Sequence, residues 1–179
     1  MSYYGGYPPY VPVAKKRASA QKKLQKLRKT HPHIKPIVIE GRSLAKTWWG
    51  KAWNQNLESY ADYNYRLERG RSYLRNGCVL DLQIAPGKIT SLVSGGESEP
   101  YSIEVSIDPL APSIWKSIKT ACHGKLGSLQ NLLAGKFPKE LMALFTAHGQ
   151  GLFPSPKEIH LSCSCPDVAS MCKHVAATL

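Results

Sequence analysis

Cys163, Cys165, Cys172 and His174 crowd the end of this 179-residue chain, in the stretch CSCPDVASMCKH. Three thiolates and an imidazole are a complete ligand set for a tetrahedral zinc ion, and four protein ligands leave no open position for catalysis. The spacing is Cys-x-Cys, six residues, then Cys-x-His, and each half asks for a different backbone. In a strand, residues i and i+2 share a face, so Cys163 and Cys165 can aim at one point if the preceding residues are extended. Ile159 and Leu161 alternate there with His160 and Ser162, as a strand requires. On a helix, two residues apart means about 200° around the axis. Cys172 is therefore expected at or just before a helix start, with His174 in the first turn of a helix over VAATL. There the helix N-terminus also favours a thiolate. The site is read as one structural Zn2+.

The rest of the chain sets bounds on that reading. Five cysteines are an odd number, which argues against a disulfide framework. The start, MSYYGGYPPYVPV, lacks the apolar core of a secretory signal, and no apolar run reaches the ~20 residues that span a bilayer. The expectation is a cytoplasmic protein that makes no use of a membrane. The formal charge is +12, and it is unevenly spread. Residues 1–39 carry nine Lys/Arg and no acid, whereas residues 40–179 carry fifteen against twelve. An excess of this sign in one segment points to a polyanionic partner. The cations that could engage it are Lys15, Lys16, Arg17, Lys22, Lys23, Lys26, Arg28 and Lys29.

The pattern of elements predicts an α+β fold: an antiparallel meander packed with helices, a small zinc module at the C-terminus, and a basic N-terminal arm. Residues 1–38 are read as a disordered arm, with a nascent helix in AKKRASAQKKLQKLRKT that orders on a partner. Its visible apolar face is only Leu24 and Leu27. Residues 39–155 form the main domain. In it, Leu44, Trp48, Ala52, Trp53, Leu57 and Tyr60 recur at helical spacing, after Ser43 as N-cap. Three strands follow in NGCVLDLQIA, KITSLVS and PYSIEVSI, each alternating as a sheet covered on one face does. Leu80, Leu82, Ile103 and Val105 are expected to pack on the tryptophan helix. Further helices are predicted over 112–122, 126–134 and 138–146. Gly149, Gly151, Pro154 and Pro156 read as a hinge into a separate module, residues 156–179.

The metal pattern matches that of the SWIM zinc finger. TWWGKAW, GRSYLRNGCVLDLQIAPGKITSLVSG and PYSIEVSIDPL are also similar to the N-terminal region of bacterial SWIM zinc-finger proteins. The resemblance spans Thr47 to Leu179. It implies a ββα finger that binds DNA or protein, and a place beside helicase-like ATPases of the Swi/Snf type. Such proteins continue well past the final histidine, so the module here reads as a truncated or short one.

Other reactive groups form no recognisable catalytic set. Cys122-His123 lacks a third group and reads as a loop or core thiol, and Cys78 as a core thiol. Arg66, Arg69, Arg71 and Arg75 around Gly70 can grip phosphate or decorate a solvated hairpin, and the sequence leaves both open; Arg69 and Arg71 join the candidate contacts. The function expected is zinc-dependent, non-catalytic nucleic-acid binding, DNA ahead of RNA, accessory to a helicase-like ATPase. The alternative is a protein-interaction adaptor that docks a partner through the finger.

Overall fold

The structure is a computed structural model, and it describes residues 11–39, 41, 43–125, 131 and 133–179. The Tyr/Gly/Pro tract up to Tyr10 and most of the helix expected over 126–134 lie outside the described residues. The elements run α1 (Val13–Thr30), α2 (Trp48–Glu58), α3 (Ala61–Arg75), β1 (Val79–Ala85), β2 (Lys88–Val93), β3 (Tyr101–Ile107), α4 (Pro112–Cys122), α5 (Lys139–Thr146), β4 (Ile159–Cys163) and α6 (Lys173–Thr178). The four strands form one antiparallel sheet in the order β1-β2-β3-β4, so the α+β class holds.

β1–β3 form the expected meander, with one irregularity. Val79 pairs with Val93 and Asp81 with Leu92, so Leu80 is an extra residue. A bulge of this kind lets neighbouring side chains lean the same way, and both Val79 and Leu80 are fully buried. Beyond it the strand climbs out of the core, until Ile84 is 75% exposed. In β3 the alternation is clean: Tyr101, Ile103 and Val105 are buried and Ser102 and Glu104 exposed.

Two expectations about what completes and covers the sheet fail. The segment 156–179 is not a separate module: β4 pairs with β3, Ile103 facing Cys163 and Val105 facing Leu161. Its alternation matches the sheet's buried face, so the strand completes that sheet. Nor does the tryptophan helix cover the meander. α6 lies on the sheet, and α3 packs on α6 from behind. His174, Val175, Ala176, Ala177 and Thr178 are all buried, as a helix sandwiched between layers must be. α2 packs on α3 instead. It starts at Thr47, whose side chain accepts from the Gly50 N–H at 3.2 Å; Ser43 bonds to the Ala45 carbonyl and caps nothing. Trp53 is partly buried, donating its Nε1 proton to the Leu179 carbonyl at 2.9 Å, while Trp49 is 58% exposed.

α3 replaces the hairpin that the arginine-rich stretch suggested as one of its readings. Leu67, Gly70 and Leu74 recur at i, i+3 and i+7, the spacing of one helix face. Gly70 is the crossing point with α6: a Cβ there would lie 2.4 Å from the Ala176 carbonyl carbon. The glycine is thus required by the helix crossing.

α1 is an ordered helix docked on the fold, not a disordered arm. Its inner face is Lys16, Ala20, Lys23 and Leu27, a helical stripe of which only part is apolar. Ala20 is 2% exposed and Lys23 only 9%. The Lys23 stem lies along the core and its ammonium reaches the Gly95 carbonyl at 2.9 Å. Arg17 donates to the Asn76 side chain at 3.2 Å. Lys26 pairs with Glu99. α4 and α5 form a smaller annex that buries Ile118 and Leu141 and meets α2 through Trp48 against Phe137. Among the described residues no helix is long and apolar enough to cross a membrane.

Gly70→Ala tests the α3–α6 crossing by sign. In an open helix, alanine would stabilise by about 1 kcal/mol. Here the added methyl forces the helices apart, so thermal or denaturant unfolding should show a loss of about 1–3 kcal/mol.

Candidate metal centre

β4 brings Cys163 to the buried face of the sheet, opposite Ile103. Ser164 keeps pairing, its N–H donating to the Ser102 carbonyl at 3.0 Å. Its hydroxyl in turn accepts from the Ser102 N–H at 3.0 Å. The chain bends from Ser164 onward; these two bonds anchor the bend to β3, and Cys165 returns to the Cys163 side. A loop then leads back to α6. Asp167 fastens it: one carboxylate oxygen accepts from the Ala169 N–H at 3.1 Å and the other from Arg66 of α3 at 3.2 Å. Met171, 2% exposed, pins the far end.

Cys172 is the N-cap of α6, and its sulfur accepts from the Val175 N–H at 3.5 Å. His174 follows in the first turn. The two positions expected from spacing are thus the two found. The ligand atoms of Cys163, Cys165, Cys172 and His174 all lie within 4.8 Å of one another. His174 Nδ1 is 3.7 Å from the Cys172 sulfur and 4.0 Å from that of Cys163. Thiolates around zinc at about 2.3 Å stand roughly 3.8 Å apart, so the donor set and its spacing suit such an ion. Nδ1 is the nitrogen that faces the sulfurs. Nε2 is buried with no hydrogen-bond partner among the described residues, walled by the Tyr101 and Tyr73 rings, whose centroids are 4.6 and 5.3 Å from the imidazole. Gly95 closes the same wall: a Cβ there would fall 2.0 Å from the Tyr101 ring and 3.2 Å from Nε2.

Burial disfavours the protonated histidine. Burial, helped by the Lys173 charge and opposed by Asp167, lowers the His174 pKa from 6.5 to about 4, so the imidazole is neutral and free to ligate at pH 7. Burial pushes the Cys163 thiol up to about 12, so a metal must displace its proton. Three thiolates, a neutral imidazole and Zn2+ sum to one negative charge. The centre can hold and shape a fold, and with four protein ligands it offers no open coordination position.

The other candidates divide. Cys78 is buried, its thiol pushed up by burial. Cys122 ends α4, with His123 as the C-cap. Among the arginines, Arg71 pairs with Glu58 and Arg66 with Asp167, whereas Arg69 is exposed beside Tyr65. On α1, Lys15, Lys22, Arg28 and Lys29 are exposed. Lys23 is buried under the helix with its ammonium on the Gly95 carbonyl; Lys16, Arg17 and Lys26 make the other contacts that dock it. The residues that spacing did not point to are Tyr73, Tyr101, Gly95 and the Arg66–Asp167 pair. All but Asp167 are remote in sequence from the cysteines, and only the folded chain brings them there.

Fold and site together define an α+β protein with a Cys3His cluster able to hold one metal ion, compatible with a zinc finger. The chain is 39% identical over 156 residues to a protein of Mycobacterium tuberculosis named "Uncharacterized protein Rv2102", an alignment covering 82% of this chain and 56% of that protein. The chain thus spans just over half the length of this relative. No protein-family model matches, and no solved structure does.

Loss of ligands should empty the site: Cys163→Ala/Cys165→Ala is expected to carry no zinc by elemental analysis, against one per chain in the parent. Retained stoichiometric zinc would refute the assignment. Acid should act in the same direction. Because the folded His174 binds fewer protons than the unfolded chain between pH 4 and 6.5, stability is full above 6.5 and falls as pH drops toward 4. Protons competing for the thiolates add to the loss. A melting temperature flat across that window would contradict this.

Proposed function

We propose that this is a zinc-stabilised, non-catalytic nucleic-acid-binding protein of the SWIM zinc-finger type, one that works beside a helicase-like ATPase in DNA transactions. The observation that carries the reading is α1. It holds eight cations and no acid in Val13–Thr30, and docking presents Lys15, Lys22, Arg28 and Lys29 to solvent from a rigid platform. A helix fixed in this way loses less conformational entropy on binding than a flexible tail. The zinc type and the ATPase partner rest on the resemblance of the Cys-x-Cys and Cys-x-His spacing and of the upstream segments. DNA is placed ahead of RNA on the same ground.

Truncating the first 38 residues would strip Ala20 and Lys23 from the core, so the test uses surface changes. Lys15→Gln, Lys22→Gln, Arg28→Gln and Lys29→Gln combined should leave the melting temperature near the parent's. On duplex DNA, the slope of log affinity against log salt should flatten by about 0.9 for each phosphate that these side chains no longer neutralise. Affinity that is indifferent to salt and to these four changes would remove α1 from the interface and favour the protein adaptor.

A further inference from the structure

α3 carries a stripe of three side chains that neither the fold nor the metal centre accounts for in full. Tyr65, Arg69 and Tyr73 follow one another at four-residue steps, along about 12 Å of helix. Tyr65 is 67% exposed. Its ring has the Arg69 guanidinium at 5.8 Å and that of Arg66 at 5.9 Å. One turn beyond Arg69, the half-buried Tyr73 ring has the ammoniums of Lys16, from α1, and Lys173, from α6, each at 6.0 Å. Three separate elements thus bring cations to one line of aromatic rings.

Neutralising the metal centre explains part of this. Lys173 lies between the ligands Cys172 and His174 in sequence, and its charge acts on the His174 imidazole. But that centre holds one negative charge when zinc-bound, and Tyr65 stands two turns away from Tyr73. An exposed ring with two guanidinium groups nearby does little for the core. It does present a flat aromatic surface to solvent, beside charges that attract phosphate.

We infer that the Tyr65–Arg69–Tyr73 stripe, with Lys173, is a contact track for single-stranded nucleic acid, on which Tyr65 stacks with an unpaired base while Arg69 and Lys173 take the flanking phosphates. The inference rests on the nucleic-acid reading above and adds strandedness and a site. Base faces are open to an aromatic ring only where they are unpaired, and every base has one, so the track reads strand state with little regard to sequence. Arg66 is shared with Asp167 and serves to hold the ring.

The test uses the zinc-loaded full chain and fluorescence anisotropy with two probes, a short labelled oligothymidylate and a blunt duplex of the same length. Tyr65 is exposed, so Tyr65→Ala should fold and keep its zinc, checked by circular dichroism and metal content. It should weaken oligothymidylate binding by about 5- to 150-fold, Tyr65→Phe should bind like the parent, and the duplex should change by less than about twofold. Arg69→Gln should lower the single-strand salt slope by about 0.7. An unaffected Tyr65→Ala, or equal losses on both probes, would overturn the stacking role. Displacement of the oligothymidylate by polyglutamate as readily as by unlabelled oligothymidylate, at equal charge, would assign the track to acidic polypeptide. A parent that binds duplex and ignores oligothymidylate sinks the track and leaves the nucleic-acid reading standing; one that binds neither sinks both.

Discussion

Four ligand atoms can converge on one ion only if the edge strand of the sheet, the loop after it and the start of α6 are held in a fixed relation, and most of this fold follows from that requirement. Cys163 sits on β4 and Cys172 caps α6, so a bound metal ties the sheet to the layer lying on it. A six-residue helix is far too short to persist alone. α6 survives because it is buried between the sheet and α3, and because its first turn supplies two ligands. Structural zinc contributes apparent binding energy of about 10–16 kcal/mol in finger peptides at neutral pH, ample to offset the cost of ordering so short a segment. Gly70 and Ala176 let α3 approach closely enough to close the sandwich.

The same centre reaches the basic helix. Gly95 packs against Nε2 of His174, and its carbonyl accepts from Lys23. Tyr73 touches the histidine on one side and Lys16 on another. α1 thus meets two residues, Gly95 and Tyr73, that also border His174. The cations of α1 fall into two sets by this geometry. Lys16, Arg17, Lys23 and Lys26 face partners in the fold, and Lys15, Lys22, Arg28 and Lys29 face water.

Much of the metal centre was legible in the sequence because its logic is local. Period two places Cys163 with Cys165, and the helical angle forces Cys172 to the cap. The meander was legible for the same reason, through alternation in β3. What failed depended on partners remote in the chain. The module boundary at 156 assumed that Ile159 and Leu161 covered a small finger, whereas their alternation serves the edge of a four-stranded sheet. The tryptophan helix had an apolar face and the meander an apolar face, but α6 occupies the space between. α1 read as an arm because aliphatic lysine stems and alanine carry no hydrophobic signature, although they bury as one. α3 was missed because Gly70 looks like a break in a charged segment. Its meaning, a crossing point, exists only once Ala176 lies beneath it.

Hydrogen exchange read by mass spectrometry, with and without a zinc chelator, tests the central claim that the metal is part of a single core. On chelation, amide protection should fall together in β3, β4, α6 and the Leu67–Leu74 face of α3, since these share one set of contacts. Loss confined to residues 164–179, with β3 and α3 as protected as before, would contradict it and restore an independent terminal module.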